Sequence, residues 1–213
     1  MSDGDVPSGP RFARGGSAVT RLLLLAPPGG GKGTQGARLR ERLGVEHIAA
    51  GDLLRGEMQS GSDAGRRAAA TVERGELVPD ELILELLKPA LLAAARHGGF
   101  ILDGFPRTVA QAEALEALGK RDAIPLQAVV SLTVPEAELQ RRLLARAGIE
   151  GRSDDTPAVI ARRLQLFATD TRPLLDFYAD RGLLVRIDGD QDPDGITAEI
   201  LDRLQPAVRT SGT

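Results

Sequence analysis

The chain has 213 residues, 42% of them hydrophobic, and a formal net charge of −3 at pH 7. This length is enough for one domain with its own core, and the slightly acidic balance argues against nucleic acid as the main partner. The chain has no cysteine, which excludes a disulfide framework, a thiolate zinc site and a thiol nucleophile. No apolar run approaches the ~20 residues that span a membrane.

The two ends of the chain differ in composition from its middle. Residues 1–17 are rich in Gly, Pro, Ser and Asp, and they lack the apolar centre of a signal peptide. This composition predicts a flexible tail, and a shorter tail is expected at 207–213. We therefore expect a single folded domain at 18–206 in a cytoplasmic protein.

Hydrophobic periodicity and turn residues predict alternating strands and helices. The predicted strands are 19–25, 45–48, 99–103, 128–132 and 183–188. The predicted helices are 32–43, a stretch ending near 74, 80–97, one that opens after Pro135, one that contains 160–164, one through 175–181, and 194–204. This alternation predicts an α/β fold in which helices flank a five-stranded parallel sheet with right-handed crossovers.

The first strand leads into the strongest motif in the chain. The loop and helix start that follow it contain Gly29, Gly30, Gly31, Lys32, Gly33 and Thr34. Glycines let backbone N–H groups converge on phosphate oxygens, and the next helix adds the positive end of its dipole. Lys32 supplies a point charge, and the hydroxyl of Thr34 is placed to bind a magnesium ion that bridges phosphates. An ordinary turn is the alternative, but the pattern favours a site for a nucleoside triphosphate.

A second polar group follows the strand at 99–103. Ligands of open α/β sheets bind beyond the carboxyl ends of the strands, so Asp103 should face the same crevice as Lys32. A water-mediated contact to magnesium is the predicted role of Asp103, and a structural turn with Gly104 is the alternative. His47, at the end of the second predicted strand, is interpreted as a packing residue.

These motifs resemble those of the nucleoside monophosphate kinases, most of all the short-lid adenylate kinases. The family's loop reads Gly-x-Pro-Gly-x-Gly-Lys-Gly-Thr-Gln, and Ala26 stands where it has its first glycine. The resemblance covers about residues 19–204. It implies a three-layer P-loop NTPase-type fold with a helical insert for the nucleoside monophosphate (NMP) at 49–78 and a short lid at 145–155.

The same resemblance implies the residues that bind AMP. They are Ala50, Arg55, Glu76, Leu77, Val78, Gly104, Phe105, Pro106, Arg107, Gln111, Arg152 and Arg163. Arg55 and Arg107 would meet phosphate oxygens, the backbone at 76–78 would line the base, and the Gln111 amide would pair with the edge of adenine. Ala50 stands where adenylate kinases commonly carry threonine, and at this position the chain resembles the uridylate/cytidylate kinases instead. Thr108 and Gln111 together favour AMP, and we give these two residues more weight than the single residue Ala50.

The loop and a group of basic residues imply the site that binds ATP. Arg142 and Arg146 lie four apart on one helix, where like charges repel unless they share an anion. Gly151-Arg152-Ser153-Asp154-Asp155 resembles a short lid, and it has no cysteine or histidine for zinc. The turn near Gln191 would pack on the adenine of ATP. The implied ATP-binding set is Gly29, Gly30, Gly31, Lys32, Gly33, Thr34, Arg142, Arg146 and Gln191.

The implied reaction is Mg·ATP + AMP ⇌ 2 ADP by in-line transfer in a monomer. The attacking phosphate oxygen is already ionised, so no general base is expected. The residues expected to align and stabilise the transferring group are Lys32, Arg107, Arg142, Arg146, Arg152 and Arg163. Three alternatives are a uridylate/cytidylate kinase, a P-loop ATPase or switch, and a non-catalytic nucleotide-binding protein.

Overall fold

The computed structural model describes residues 20–73, 78–150 and 157–204. Their strands form one parallel sheet, as predicted. The strands are β1 (Thr20–Leu25), β2 (Glu46–Ala49), β3 (Gly99–Asp103), β4 (Ala128–Thr133) and β5 (Leu184–Asp188). The predicted α/β class is therefore confirmed.

Helices connect the strands. The first four are α1 (Lys32–Leu43), α2 (Ala50–Ser60), α3 (Asp63–Glu73) and α4 (Asp80–Arg96). They are followed by α5 (Val109–Arg121), α6 (Glu136–Glu150), α7 (Pro157–Leu166), α8 (Pro173–Ala179) and α9 (Pro193–Leu204). A π-helix at Phe167–Thr171 lies between α7 and α8. Among the described residues, no helix is both long and apolar enough to cross a membrane.

The strand order is β2-β3-β1-β4-β5, so β1 lies in the centre of the sheet. Leu24 of β1 is in register with Asp103 of β3 and with Val130 of β4. Because all pairs are parallel, the carboxyl ends of β1, β3 and β4 meet at one edge. The chain leaves β1 towards β2 and β3 and later continues to β4 and β5 on the other side, which opens a crevice at that edge.

Alternate residues of the strands pack on opposite faces of the sheet. Leu23 and Leu102 belong to one core, which is covered by α4, α5 and α8. Leu22 and Ile101 belong to the other core, which is covered by α1 and α9. Both faces of the sheet are buried, which explains why β1 reads as a continuous leucine run. The architecture has three layers, as the sequence resemblance implied.

Several predicted boundaries differ from the observed ones. The second strand is shifted by one residue and ends at Ala49. The helix Val109–Arg121 was not predicted. Residues 145–150, which the resemblance assigns to the start of the lid loop, are the end of α6. The remainder of that loop, 151–155, lies outside the described residues, as do both predicted tails.

Candidate active site

The loop between β1 and α1 has the backbone geometry that the sequence predicts for it. Gly29 and Gly31 adopt φ values of +80° and +89°, a region that other residues rarely enter. Gly31 is the N-cap of α1, and no side chain of the described residues caps this helix. The first N–H groups of α1 are therefore available to an anion, and the helix dipole favours negative charge there.

The Lys32 side chain lies over this loop. Its Nζ donates to the carbonyl oxygen of Ala26 at 2.6 Å, which holds the ammonium group beside the glycines. Ala26, which replaces the glycine of the resembled loop, is 4% exposed and packs in the core with Leu24. A Cβ at Gly30 would lie 2.8 Å from the Ala26 methyl, so the methyl at 26 is accommodated because residue 30 is glycine.

Asp103 ends β3 beside the loop, where the sequence predicts it. Its carboxylate is 13% exposed and lies 3.8 Å from Nε2 of His47, too far for a hydrogen bond. Within the described part of the chain, His47 Nε2 has no hydrogen-bond partner. The imidazole packs against α1 at Gly36, where a Cβ would overlap the ring. His47 is thus a packing residue, as interpreted from sequence, but with a carboxylate from the neighbouring strand close by. Thr34 lies on α1 and is exposed.

Arg142 is held in one orientation by three acceptors. Its Nε donates to Glu138 at 2.6 Å, and its terminal nitrogens donate to the carbonyl oxygen of Gly189 at 3.1 Å and to Asp190 at 3.5 Å. Glu138 also accepts two hydrogen bonds from Arg141. Hydrogen bonds from Arg141 and Arg142 lower the pKa of Glu138 to about 2. These contacts join α6 to the turn after β5.

The same turn carries Gln191, which the resemblance assigns to the ATP site together with Arg142. The Gln191 amide is exposed and donates to Glu199 at 2.8 Å and to the carbonyl oxygen of Asp188 at 3.1 Å. Arg146 lies one turn beyond Arg142 on α6, and its side chain is outside the described residues. Arg163 lies half-buried on α7. Arg152 is also outside the described residues.

Gln111 connects two elements on the other side of the crevice. It is 7% exposed. Its Oε1 accepts from the backbone N–H of Arg107 at 2.7 Å, and its Nε2 donates to Asp80 at 2.7 Å. Because an N–H can only donate and an ionised carboxylate can only accept, these partners determine which amide atom is oxygen and which is nitrogen. The amide therefore has a defined polarity.

The Gly104-Phe105-Pro106-Arg107 segment lies between Asp103 and this amide. Its Phe105–Pro106 peptide bond is cis, and Phe105 is buried in the core. The Arg107 guanidinium is exposed; its Nε donates to the carbonyl oxygen of Gly104 at 3.0 Å. Thr171, at the end of the π-helix, donates to the carbonyl oxygen of Arg107 at 3.1 Å. This contact joins the chain after α7 to the predicted phosphate-binding segment.

The described part of the predicted NMP insert contains α2 and α3. Ala50 begins α2 beside Gly104, where a Cβ on the glycine would lie 3.9 Å from the Ala50 Cβ. Arg55 is exposed and pairs with Asp52 on the same helix. Val78 is half-buried just before α4. Glu76 and Leu77 lie outside the described residues.

Comparison with known proteins gives a family match. A family model described as adenylate kinase matches residues 24–183, a span that includes the loop, Asp103, Gln111 and Arg142. The chain belongs to the adenylate kinase family. It is therefore a nucleotide-binding phosphotransferase, as predicted.

Three relatives, each named adenylate kinase, match this chain over most of its length. The Stenotrophomonas maltophilia protein is 48% identical over 181 residues, which cover 85% of this chain and 97% of the relative. A Xanthomonas campestris protein is 46% identical over 188 residues, covering 88% and 98%. A Cyanothece protein is 47% identical over 182 residues, covering 85% and 93%.

The sequence did not predict the residues that orient the predicted site residues of this adenylate kinase family member. Glu138 precedes Arg142 by four residues on one helix, a spacing from which the pair was predictable. Asp80 is 31 residues from Gln111, and no local pattern connects them. The contact of Thr171 with residue 107 likewise depends on the tertiary fold.

The ionisation of Glu138 provides a test of this arrangement. Because its native pKa of about 2 lies below the ordinary value of 4.5, its ion pairs stabilise the folded state above about pH 4.5, and this contribution is lost as the pH falls towards 2. We expect carbon-detected NMR to show the Glu138 carboxylate still largely ionised at pH 3.5. The variant Glu138→Gln assigns the signal. A native titration midpoint above pH 4 would contradict the observed ion pairs.

Proposed function

We propose that this protein transfers the γ-phosphoryl group of Mg·ATP reversibly to AMP, forming two ADP. The observation that carries the proposal is the convergence of three features at one edge of the sheet: the loop with Lys32, the carboxylate of Asp103 and the amide of Gln111. The family match and the names of the relatives support the same reaction. A monomeric state, a cytoplasmic location and the lack of a nucleic-acid partner belong to the proposal on the basis of composition and family.

On the ATP side, the loop glycines and the start of α1 would bind phosphate oxygens through backbone N–H groups. Lys32 would exchange its contact with the Ala26 carbonyl oxygen for a phosphate oxygen. Arg142 is already oriented by Glu138 and the turn after β5, so its remaining N–H groups would face the triphosphate without further ordering. The proposed ATP set is completed by Thr34, Arg146 and Gln191.

The residues near the loop fit a magnesium ion. Thr34 offers a hydroxyl oxygen and Asp103 a carboxylate, which are oxygen donors of the type that Mg²⁺ prefers, and few protein ligands are needed when phosphates and water complete the coordination. When bound with ATP, Mg²⁺ would neutralise charge on the phosphates. From its position at the end of β3, Asp103 would hold water in that coordination shell.

The transfer itself requires alignment and charge stabilisation. A phosphate monoester has its second pKa near ~6, so the attacking oxygen of AMP is ionised at neutral pH and needs no general base. Negative charge then spreads over the transferring group. The cations proposed to stabilise it are Lys32, Arg107, Arg142, Arg146, Arg152 and Arg163.

The polarity of the Gln111 amide supports AMP as the acceptor. Nε2 keeps one N–H after bonding Asp80, and Oε1 keeps one lone pair after bonding the N–H of Arg107. A base that presents a ring-nitrogen acceptor beside an amino donor satisfies both atoms, and adenine does so. Cytosine has the same pattern, whereas uracil and guanine present a ring N–H. Ala50 is the observation that still favours a pyrimidine-preferring kinase, because it lacks the hydroxyl common in adenylate kinases.

The polarity favours AMP and CMP over UMP and GMP, and the family match favours AMP over CMP. With Mg·ATP as donor, we expect kcat/KM to decrease in the order AMP, CMP, then UMP and GMP, and no ADP to form without an acceptor. The variant Asp80→Ala removes the contact that orients the amide, so the ratio of AMP to UMP turnover should fall by about tenfold. Glu81→Ala, in the same helical turn, is the matched control. A preference of the wild-type protein for UMP would contradict the proposed role of Gln111.

The charge of Lys32 provides a separate test of the mechanism. Lys32→Ala should remain folded and lose activity by orders of magnitude, because it removes a charge at the transferring phosphate. Lys88→Ala is the control, since Lys88 forms a surface ion pair with Asp122 at 3.4 Å. Steady-state ADP formation and circular dichroism measure both effects. If Lys32→Ala keeps more than about a tenth of the wild-type rate, the proposed role is wrong.

A further inference from the structure

Two polar side chains are buried together between α1 and α9. Gln35 is 1% exposed and Thr197 is 5% exposed. Nε2 of Gln35 donates to the carbonyl oxygen of Pro193 at 3.0 Å, and the Thr197 hydroxyl donates to Oε1 of Gln35 at 2.7 Å. The same hydroxyl lies 2.8 Å from the Pro193 carbonyl oxygen. Because a carbonyl oxygen can only accept, the amide nitrogen faces Pro193 and the network has one defined polarity.

One end of this network is fixed relative to the phosphate loop. Gln35 follows Thr34 directly and lies one helical turn after Lys32 on α1. Its backbone N–H donates to the carbonyl oxygen of Gly31 at 3.0 Å, so its backbone belongs to the first turn of the helix. The Gln35 amide is therefore held at a constant position relative to the N–H groups that would bind phosphate.

The other end of the network is the turn after β5, at the carboxyl edge of the sheet. At the start of this turn, the carbonyl oxygen of Gly189 accepts from Arg142 at 3.1 Å. At its end, the carboxylate of Asp192 accepts from two backbone N–H groups in the first turn of α9, both at 3.0 Å. Pro193, which Gln35 contacts, is the next residue. Gln191 therefore lies between two anchored points.

Apolar packing alone does not define the position of this turn. Ile196 and Ile200 of α9 are buried in the core that α1 also covers. Apolar contacts are non-directional, so they permit small shifts of one helix along the other, whereas hydrogen bonds define distance and direction. Replacing a buried polar pair by apolar groups of the same shape is often nearly neutral for stability. The position of the turn is therefore a better explanation of the network than stability is.

We propose that Gln35 and Thr197 are positioning residues for ATP. They set the distance between the phosphate loop and the turn at 189–192, so that the turn packs on the adenine while the phosphates occupy the loop. The inference rests on the proposed function, because it needs ATP at this edge of the sheet. Both side chains are buried, so they act through the turn and do not touch the nucleotide.

The variant Thr197→Val removes the hydroxyl and keeps the shape of the side chain. The KM for ATP should rise about fivefold, because the Gln35 amide loses the contact that orients it, whereas kcat and the KM for AMP should change by less than about twofold. Thr197→Ser keeps the hydroxyl and should restore the wild-type KM. Isothermal titration calorimetry with ATP alone should show the same fivefold loss of affinity in Thr197→Val and its recovery in Thr197→Ser.

Ile200→Val is the matched control for stability, since it removes one buried methylene from the same helix. It should lower the midpoint of thermal unfolding and leave the KM for ATP unchanged. If Thr197→Val does not fold, the double variant Gln35→Met/Thr197→Val takes its place, because it removes both polar side chains and leaves no unpaired amide. It should fold and show the same rise in the KM for ATP.

Three results would each overturn the inference: an unchanged affinity for ATP in the folded Thr197 or double variant, an equal rise in the KM for AMP, or an equal rise in the KM for ATP in Ile200→Val. If the wild-type protein binds ATP but forms no ADP, the proposed function fails, and calorimetry still decides the inference. A wild-type protein that binds no ATP would overturn both.

Discussion

The central position of β1 is the constraint on which the rest of the site depends. β1 is buried on both faces and paired on both edges, so the loop that follows it must emerge in the middle of the carboxyl edge of the sheet. β3 then ends with Asp103 on one side, and β4 leads into α6 with Arg142 on the other. The leucines of one strand thereby determine where the proposed phosphate, metal and base contacts meet.

Long polar side chains at this edge are oriented before any ligand binds. Arg142 is held by Glu138 and by the turn after β5, and Gln111 is held by Asp80 and the backbone of Arg107. Ordering a side chain such as arginine costs up to ~2 kcal/mol of conformational entropy. When folding has already met that cost, more of the interaction energy with a ligand is available for binding and for stabilising the transition state.

The sequence predicts the helices and strands of this fold better than it predicts which of them pack against each other. The helix Lys32–Leu43 has the predicted boundaries because Gly31 and Gly44 both adopt positive φ at its ends. The strand order was not predicted, since periodicity does not show which strands pair. The start of the predicted lid is helical instead, because alanine and arginine, which follow Leu144, have high helix propensity.

The same limit applies to the site. The phosphate loop and Asp103 were predictable because each directly follows a buried strand. The contact between His47 and Asp103 joins two strands, and the contact between Asp80 and Gln111 joins two helices. Neither pair follows a local sequence pattern, so these contacts could be identified only from the structure.

The central claim is that one bound nucleotide phosphorylates the other, and the measurement that tests it best starts from Mg·ADP alone. Phosphorus NMR of ADP incubated with the protein should show ATP and AMP appearing in equal amounts until equilibrium, with no inorganic phosphate. Both nucleotides would then occupy the crevice together, and one would phosphorylate the other. Release of inorganic phosphate without ATP, or an unchanged ADP spectrum, would contradict the account.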